Sequence, residues 1–339
     1  MSEISMLIAG ETTINDQSEI RVMKSRVKYI DAMRGLAILT VVIGHLVQRN
    51  IGGGTSHPLF DLIYSFHMPL FFFICGCAQW LSYSNNECKS LNVMWVMGGG
   101  IRKVYTLLLP AVVWSTLVPI LFTCDSIILN LSSGYWFLVT LFKISLIYIF
   151  IGYLSSRYKR FEVPLIILAN VGFIYLFLCK GVMPYIWFYS LGYFAQKYDL
   201  GKYLNKWIAA VAFIAFALCS HYFVHDSIST EGWQVWLQMG LSLLAIVFCY
   251  HLFQNVNADS FVIKRLTTIG KYTLGIYLAQ NYLLDVQFWG IDYSILSNSV
   301  LLVLFTGFSI IISYLCISIQ KFMETNEVLG FLFYGKKMN

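Results

Sequence analysis

Long apolar segments recur along almost the whole chain, and they constrain its fold more than any other feature. We count ten of them between residues 29 and 320. An α-helix needs about 20 apolar residues to cross a bilayer. The segments cover residues 29–49, 59–82, 104–124, 134–154, 162–179, 182–197, 206–225, 232–253, 267–288 and 296–320. The pattern predicts an all-α, polytopic integral membrane protein with about ten transmembrane helices.

The composition excludes the other common classes of protein. Of the 339 residues, 58% are hydrophobic and only 12% are charged, against about 25% charged in an ordinary soluble domain. One core of this size cannot bury so much apolar surface, whereas lipid can. The eight cysteines lie mostly in apolar segments, and Cys75 and Cys77 lack zinc-ligand spacing. We therefore expect neither a metal site nor a disulfide framework.

The basic residues predict the orientation of the chain. Of the 23 Lys and Arg residues, 19 fall at the two ends and in every second connecting segment. Only Arg49 and Lys180 fall in the alternate connecting segments, and Arg34 and Lys143 lie within apolar ones. Because cytoplasmic loops carry the excess of Lys and Arg, both termini are predicted to be cytoplasmic. The net charge of +6 then reflects membrane orientation, and no nucleic-acid partner is expected.

This orientation divides the chain into three parts. Residues 1–28 form a cytoplasmic N-terminal tail, residues 29–320 the transmembrane domain and residues 321–339 a cytoplasmic C-terminal tail. No apolar h-region follows Met1, so the first apolar segment is expected to be a retained span rather than a signal peptide.

The first apolar segment contains three ionisable residues, Asp31, Arg34 and His45. Such groups are costly inside a membrane and are functional candidates by default. Asp31 and Arg34 are three residues apart and can pair on one helix face. Arg34 and His45 are eleven apart, within about 20° of three full turns, with a rise of about 16 Å. They share a stripe at different depths, either as a functional pair or as an interfacial ion pair with a packing histidine.

The second apolar segment contains His67, followed closely by Pro69. The short loop at 50–58 makes the first two segments antiparallel neighbours, so His45 and His67 can face one cavity. Proline removes a helix hydrogen bond and frees a carbonyl group, which protein or water must satisfy. The alternative is a kinked packing helix in which His67 bonds to a backbone carbonyl.

Further polar residues stand out on the predicted inner side and late in the chain. Arg102 and Lys103 precede the third segment and either bind anionic phosphates or only anchor the helix at the membrane surface. Lys143 lies in the middle of a segment and needs a partner or an aqueous cavity. Tyr277 and Gln280 are three residues apart and share a helix face.

Five motifs occur in a fixed order along the chain. They are Tyr29–Ile38 followed by His45, Phe66–Gly76, Arg102–Pro110, Tyr135–Leu138 and Gly270–Leu278. Together they resemble the motifs of the integral-membrane acyltransferase family 3, whose hallmark is an Arg and a His separated by ten residues. Cys75 stands where that family usually has Ser, and Gln280 stands where many members have His.

The resemblance implies transfer of an acyl group, usually acetyl, from acetyl-CoA to a hydroxyl of a cell-surface glycan or its lipid-linked precursor. It places the protein in the inner membrane of a bacterial cell, in contact with lipid and with no permanently bound cofactor. A hydroxyl that attacks a thioester needs a general base, which histidine can supply. The implied roles are catalysis by His45 and secondarily His67, donor binding by Arg34, Arg102 and Lys103, and substrate binding by Trp136, Tyr277 and Gln280.

Two other functions fit a polytopic chain with intramembrane Arg and His. One is a transporter or flippase of a lipid-linked sugar or small solute, although no inverted repeat is visible. The other is a non-catalytic assembly protein.

Overall fold

The computed structural model describes residues 28–83, 100–122, 134–178, 185–228, 231–284 and 293–336. Every regular element in these ranges is helical, in agreement with the predicted all-α class. Five described helices are long and apolar enough to cross a membrane: Lys28–Asn50, Pro58–Leu81, Trp136–Ser155, Gly232–Asn255 and Asn298–Met323. The chain is thus a helical membrane protein, while the count of ten spans and the side of each terminus stay predictions.

We number the α-helices in chain order. They are α1 (Lys28–Asn50), α2 (Pro58–Tyr64), α3 (His67–Tyr83), α4 (Gly100–Lys103), α5 (Leu109–Phe122), α6 (Trp136–Arg157), α7 (Glu162–Leu178), α8 (Tyr185–Lys197), α9 (Lys206–Cys219), α10 (Gly232–Asn255), α11 (Phe261–Lys271), α12 (Thr273–Ala279), α13 (Asn298–Met323) and α14 (Glu327–Tyr334). A π-helical stretch at Val104–Leu108 joins α4 to α5.

The second predicted span contains a break between α2 and α3, and side chains from α10 satisfy the exposed backbone. Pro69 has no N–H to donate to the carbonyl of Ser65, and the Ser242 hydroxyl donates to that oxygen instead, at 2.7 Å. One turn away on the same face of α10, the Gln238 amide donates to the carbonyl of Tyr64 at 2.8 Å. The freed carbonyl predicted at Pro69 is therefore present and is satisfied by protein.

Two glycines allow α3 and α8 to approach closely. A β-carbon on Gly76 would collide with the carbonyl oxygen of Tyr189, and one on Gly192 would collide with the carbonyl oxygen of Phe73. The backbones therefore touch, in the manner of small-residue contacts between membrane helices. This contact fixes α3, which carries several residues of the candidate site.

A second close contact joins α1 to α11. A β-carbon on Gly270 would collide with the carbonyl oxygen of Asp31, and one on Gly35 would collide with that of Leu266. The predicted span at 267–288 is not one continuous helix, because α11 ends at Lys271 and α12 begins at Thr273. The Thr273 hydroxyl bonds to the carbonyl of Gly270 at 2.6 Å and stabilises this break.

Part of the predicted C-terminal tail is an ordered helix. Helix α14 packs on α5, where the Trp114 indole N–H donates to the carbonyl of Phe333 at 3.0 Å. Phe333 and Tyr334 are buried. Residues 327–334 thus extend the packed core beyond residue 320, because their aromatic side chains cover α5.

Candidate active site

A cavity of about 270 Å³ lies between α1, α3, α6 and the segment that joins α11 to α12. Its lining residues are Arg34, Val41, Met68, Phe71, Cys75, Ala78, Lys103, Leu107, Phe137, Leu138, Leu141, Gly270, Lys271, Thr273, Leu274 and Tyr277. Apolar side chains form most of the wall, as is usual for small-molecule sites, with a few polar groups that fix orientation.

Three cationic residues from three different elements line this cavity: Arg34, Lys103 and Lys271. The guanidinium of Arg34 lies 3.1 Å from the carboxylate of Asp31, which is the pairing predicted from their spacing. Arg102 is exposed and does not line the cavity, so the structure separates the two adjacent basic residues. Lys271 joins the group because the contact between Gly270 and α1 brings the end of α11 to Arg34.

The two predicted histidines do not line the cavity, but each is close in sequence to a residue that does. Val41 is one helical turn before His45, and Met68 directly follows His67. His67 is almost fully buried, and its Nδ1 donates to the carbonyl of Ile63 at 2.8 Å. His45 is half-buried, with its Nδ1 3.2 Å from the side-chain oxygen of Gln48.

Tyr64 connects the surroundings of the two histidines. Its ring lies edge-on to His67, with 4.5 Å between centroids. It also packs against Gly44, where a β-carbon would lie 3.1 Å from the tyrosine ring. Gly44 directly precedes His45, so Tyr64 contacts the ring of one histidine and the helix beside the other. No sequence motif singles out Tyr64, although its position three residues before His67 places it about one turn away.

The remaining predicted site residues have different surroundings. Tyr277 lines the cavity, and its hydroxyl donates to the carbonyl of Gly134 at 3.3 Å. Trp136 lies outside the cavity wall and packs on Tyr185, with 5.3 Å between ring centroids. Gln280 is fully buried, and neither of its amide atoms has a hydrogen-bond partner in the described part of the chain.

Lys143 occupies the exposed side of α6, away from the cavity. It therefore takes no part in the cation cluster formed by Arg34, Lys103 and Lys271. Of these three residues, Arg34 and Lys103 are among the donor-binding residues that the family resemblance implies. Lys271 was visible only as one polar residue within the Gly270–Leu278 motif.

Comparisons with known proteins identify the family of the chain. The family model described as "Acyltransferase domain" matches residues 27–318. The nodulation protein NolL of Mesorhizobium japonicum is 30% identical over 294 residues, which cover 74% of each chain. NolL of Sinorhizobium fredii is 36% identical over 93 residues, 26% of this chain and 23% of that protein.

No solved structure matches this chain. The family match includes every helix from α1 to most of α13, and so it contains the cavity and both histidines. The enzyme interpretation is thus favoured over the transporter and the assembly protein. The chain belongs to acyltransferase family 3 and is an acyltransferase.

Proposed function

We propose that the protein transfers acetyl from acetyl-CoA to a hydroxyl of a cell-surface glycan or its lipid-linked precursor, in the inner membrane of a bacterial cell. The observation that carries this proposal is the cavity, which has three cations in its wall and is also lined by Val41, one turn before His45, and by Met68, directly after His67. A donor with anionic phosphates and a neutral thioester arm suits a site that is cationic at one part and apolar elsewhere.

In this proposal, Lys103 and Lys271 attract the phosphates, and Arg34 contacts a phosphate or the thioester carbonyl. The planar guanidinium can donate two parallel hydrogen bonds to such oxygens. Asp31 holds Arg34 in place through their ion pair. Arg102 is exposed at the same helix end and adds to the positive potential around the entrance rather than to the wall.

The reaction is the attack of an acceptor hydroxyl on the thioester carbonyl carbon. The new C–O bond forms, the C–S bond breaks and CoA leaves as the thiol. The base takes the hydroxyl proton and returns it to the sulfur of the leaving group. The products are the O-acetyl ester and CoA, so no oxidant or further reactant is needed.

We assign the role of base to His45. If the Gln48 oxygen accepts from Nδ1, the His45 Nε2 carries the lone pair that a base needs. The same holds for His67, because the Ile63 carbonyl can only accept from its Nδ1. His45 is the more accessible of the two, so an acceptor can reach it with less rearrangement. His67 then orients His45 or the acceptor through Tyr64.

The first test is transfer of labelled acetyl from acetyl-CoA by the purified protein to surface polysaccharide. We expect wild type to form an alkali-labile acetyl ester. General-base catalysis typically contributes about 10²–10⁴-fold in rate, so His45→Ala should cost at least about 10²-fold. CoA should still bind, because His45 does not line the cavity. An inactive wild type that nevertheless binds CoA would contradict the proposed reaction.

The second test distinguishes the two histidines. Glutamine retains a hydrogen-bond donor but cannot abstract a proton, so His45→Gln should lose more activity than His67→Gln. The comparison needs equal amounts of folded protein, checked by thermal unfolding. The reverse order would move the role of base to His67.

A further inference from the structure

A short helical turn at His225–Ser227 docks onto the start of α2, and none of its residues lines the cationic cavity. The backbone N–H of His225 donates to the carboxylate of Asp61 at 2.8 Å. The Ser56 hydroxyl donates to the carboxylate of Asp226 at 2.6 Å. These bonds join residues about 170 positions apart in sequence. They fix the turn at the end of α1 opposite to Arg34.

Docking places a third imidazole beside the two described above. The ring of His225 lies edge-on to Tyr64, with 4.9 Å between centroids, and edge-on to Phe60 at 5.1 Å. Tyr64 is the same ring that contacts His67. His225 and His67 thus flank one tyrosine, and His225 is on the accessible side, with 33% of its side chain exposed.

The Asp226 carboxylate lies close to the His225 ring. One of its oxygens lies 3.5 Å from the His225 Nδ1, while the other accepts from Ser56. The Ser56 hydrogen bond lowers the pKa of the Asp226 carboxyl, so the group is ionised at neutral pH. The His225 Nδ1 itself is buried and forms no hydrogen bond in the described part of the chain, so the imidazole keeps hydrogen-bonding capacity for a ligand.

The charge of this surface differs from that of the cavity. Its polar groups include the carboxylates of Asp61 and Asp226, the hydroxyls of Thr55 and Ser56 and the imidazoles of His225 and His57. Carboxylates and hydroxyls accept hydrogen bonds from hydroxyl groups and repel anions. The surface therefore suits a neutral ligand rich in hydroxyls and is unsuited to the phosphates of CoA.

We propose that Ser56, Asp226 and His225 form the acceptor subsite, which binds hydroxyl groups of an uncharged sugar unit next to His67 and His45. This inference rests on the proposed function, and it adds that donor and acceptor enter from opposite ends of α1. The acceptor approaches past His225, and the donor approaches past Lys103 and Lys271.

The experiment measures acetyl transfer against the concentration of de-acetylated surface polysaccharide from a deletion strain. We expect His225→Gln and Asp226→Asn each to raise the half-saturating polysaccharide concentration by at least about tenfold, as for the loss of one hydrogen bond to a charged or oriented group. CoA binding and the thermal unfolding temperature should stay at wild-type values. His221→Gln is the matched control, because His221 lies four residues away, is exposed and packs only against Tyr222 in the described contacts.

Each outcome bears on one proposal. Unchanged half-saturation in both His225→Gln and Asp226→Asn would overturn the subsite. Tighter binding of polysaccharide by Asp226→Asn would also overturn it, because removal of a carboxylate favours an anionic acceptor. Equal loss of CoA binding and of thermal stability would show that the turn is only structural. A wild type that transfers no acetyl would instead contradict the proposed function itself.

Discussion

Arg34 is an ionisable residue that lies in a candidate membrane-spanning helix and also lines the candidate active site. It is paired with Asp31, its side chain is 30% exposed, and it lines the cavity. An arginine that only anchored the helix would not need an acidic partner on its own helix and a cavity beside it. The pairing was predictable from a spacing of three residues, whereas the cavity was not, because it requires α3, α6 and α11 as well.

The first prediction concerns the shape of this cation. Arg34→Lys keeps the charge but loses the planar fork that can bond two oxygens at once. We expect CoA binding to weaken by about tenfold, equivalent to about 1.4 kcal/mol, with normal membrane insertion. Titration calorimetry in detergent measures the effect. Arg265→Lys is the control, because Arg265 lies on α11 outside the cavity; wild-type binding by Arg34→Lys would leave Arg34 a structural partner of Asp31 only.

The second prediction concerns Lys271, which the structure adds to the donor site. Lys271→Met removes one of the three cations in the cavity wall while keeping a flexible apolar side chain. CoA should bind about tenfold more weakly, and added salt should weaken its binding less than in wild type. Lys264→Met is matched to it, since Lys264 is exposed on the same helix and pairs with Asp259 at 3.6 Å. If the two substitutions weakened CoA binding equally, Lys271 would contribute only to the general positive charge of the protein surface.

At the scale of elements, glycine contacts set the width of the cavity. Gly270 brings α11 against the backbone of Asp31. The position of this part of the cavity wall therefore depends on the lack of a β-carbon at residue 270. The third prediction is that Gly270→Ala separates α1 from α11, destabilises the fold by about 1–3 kcal/mol and weakens CoA binding. Thermal unfolding and CoA titration measure both effects.

Gly240→Ala is the control for this prediction, because nothing lies within 4 Å of a β-carbon at Gly240. Alanine there should leave the unfolding temperature unchanged or raise it slightly, since it is the better helix former. A Gly270→Ala protein with wild-type stability and CoA binding would contradict the prediction, because it would show that α11 can move away from α1 without destabilising the fold.

The sequence predicted the existence of most elements and few of their interruptions. Each of the ten apolar segments contains a described helix, because hydropathy over about 20 residues is a local property. The break between Lys271 and Thr273 is stabilised by a single side-chain hydrogen bond that hydropathy does not register. The packing of α14 on α5 depends on a contact between segments far apart in the chain. The docking of His225 depends on Asp61, 164 residues away, which no local pattern could indicate.

At the scale of the whole molecule, the fourth prediction concerns orientation. The charge distribution places both termini in the cytoplasm, and the turn at His225–Ser227 would then face the opposite side of the membrane. Reporter fusions at Asn339 and within 226–231 should therefore report opposite sides. The same side for both would contradict the ten-span arrangement, and the acceptor would then approach from the same side as the donor.

The bond between Ser242 and the carbonyl of Ser65 has a consequence for how this sequence can evolve. The hydroxyl is needed because Pro69 offers no N–H to that oxygen. Once Pro69 is replaced by a residue with an N–H, the backbone can satisfy the carbonyl and the serine becomes dispensable. If Ser242 were lost first, the carbonyl of Ser65 would have no hydrogen-bond donor. Substitutions at positions 69 and 242 are thus coupled in evolution, although the two positions are 173 apart in the chain. Pro69 must be replaced before Ser242 can be lost.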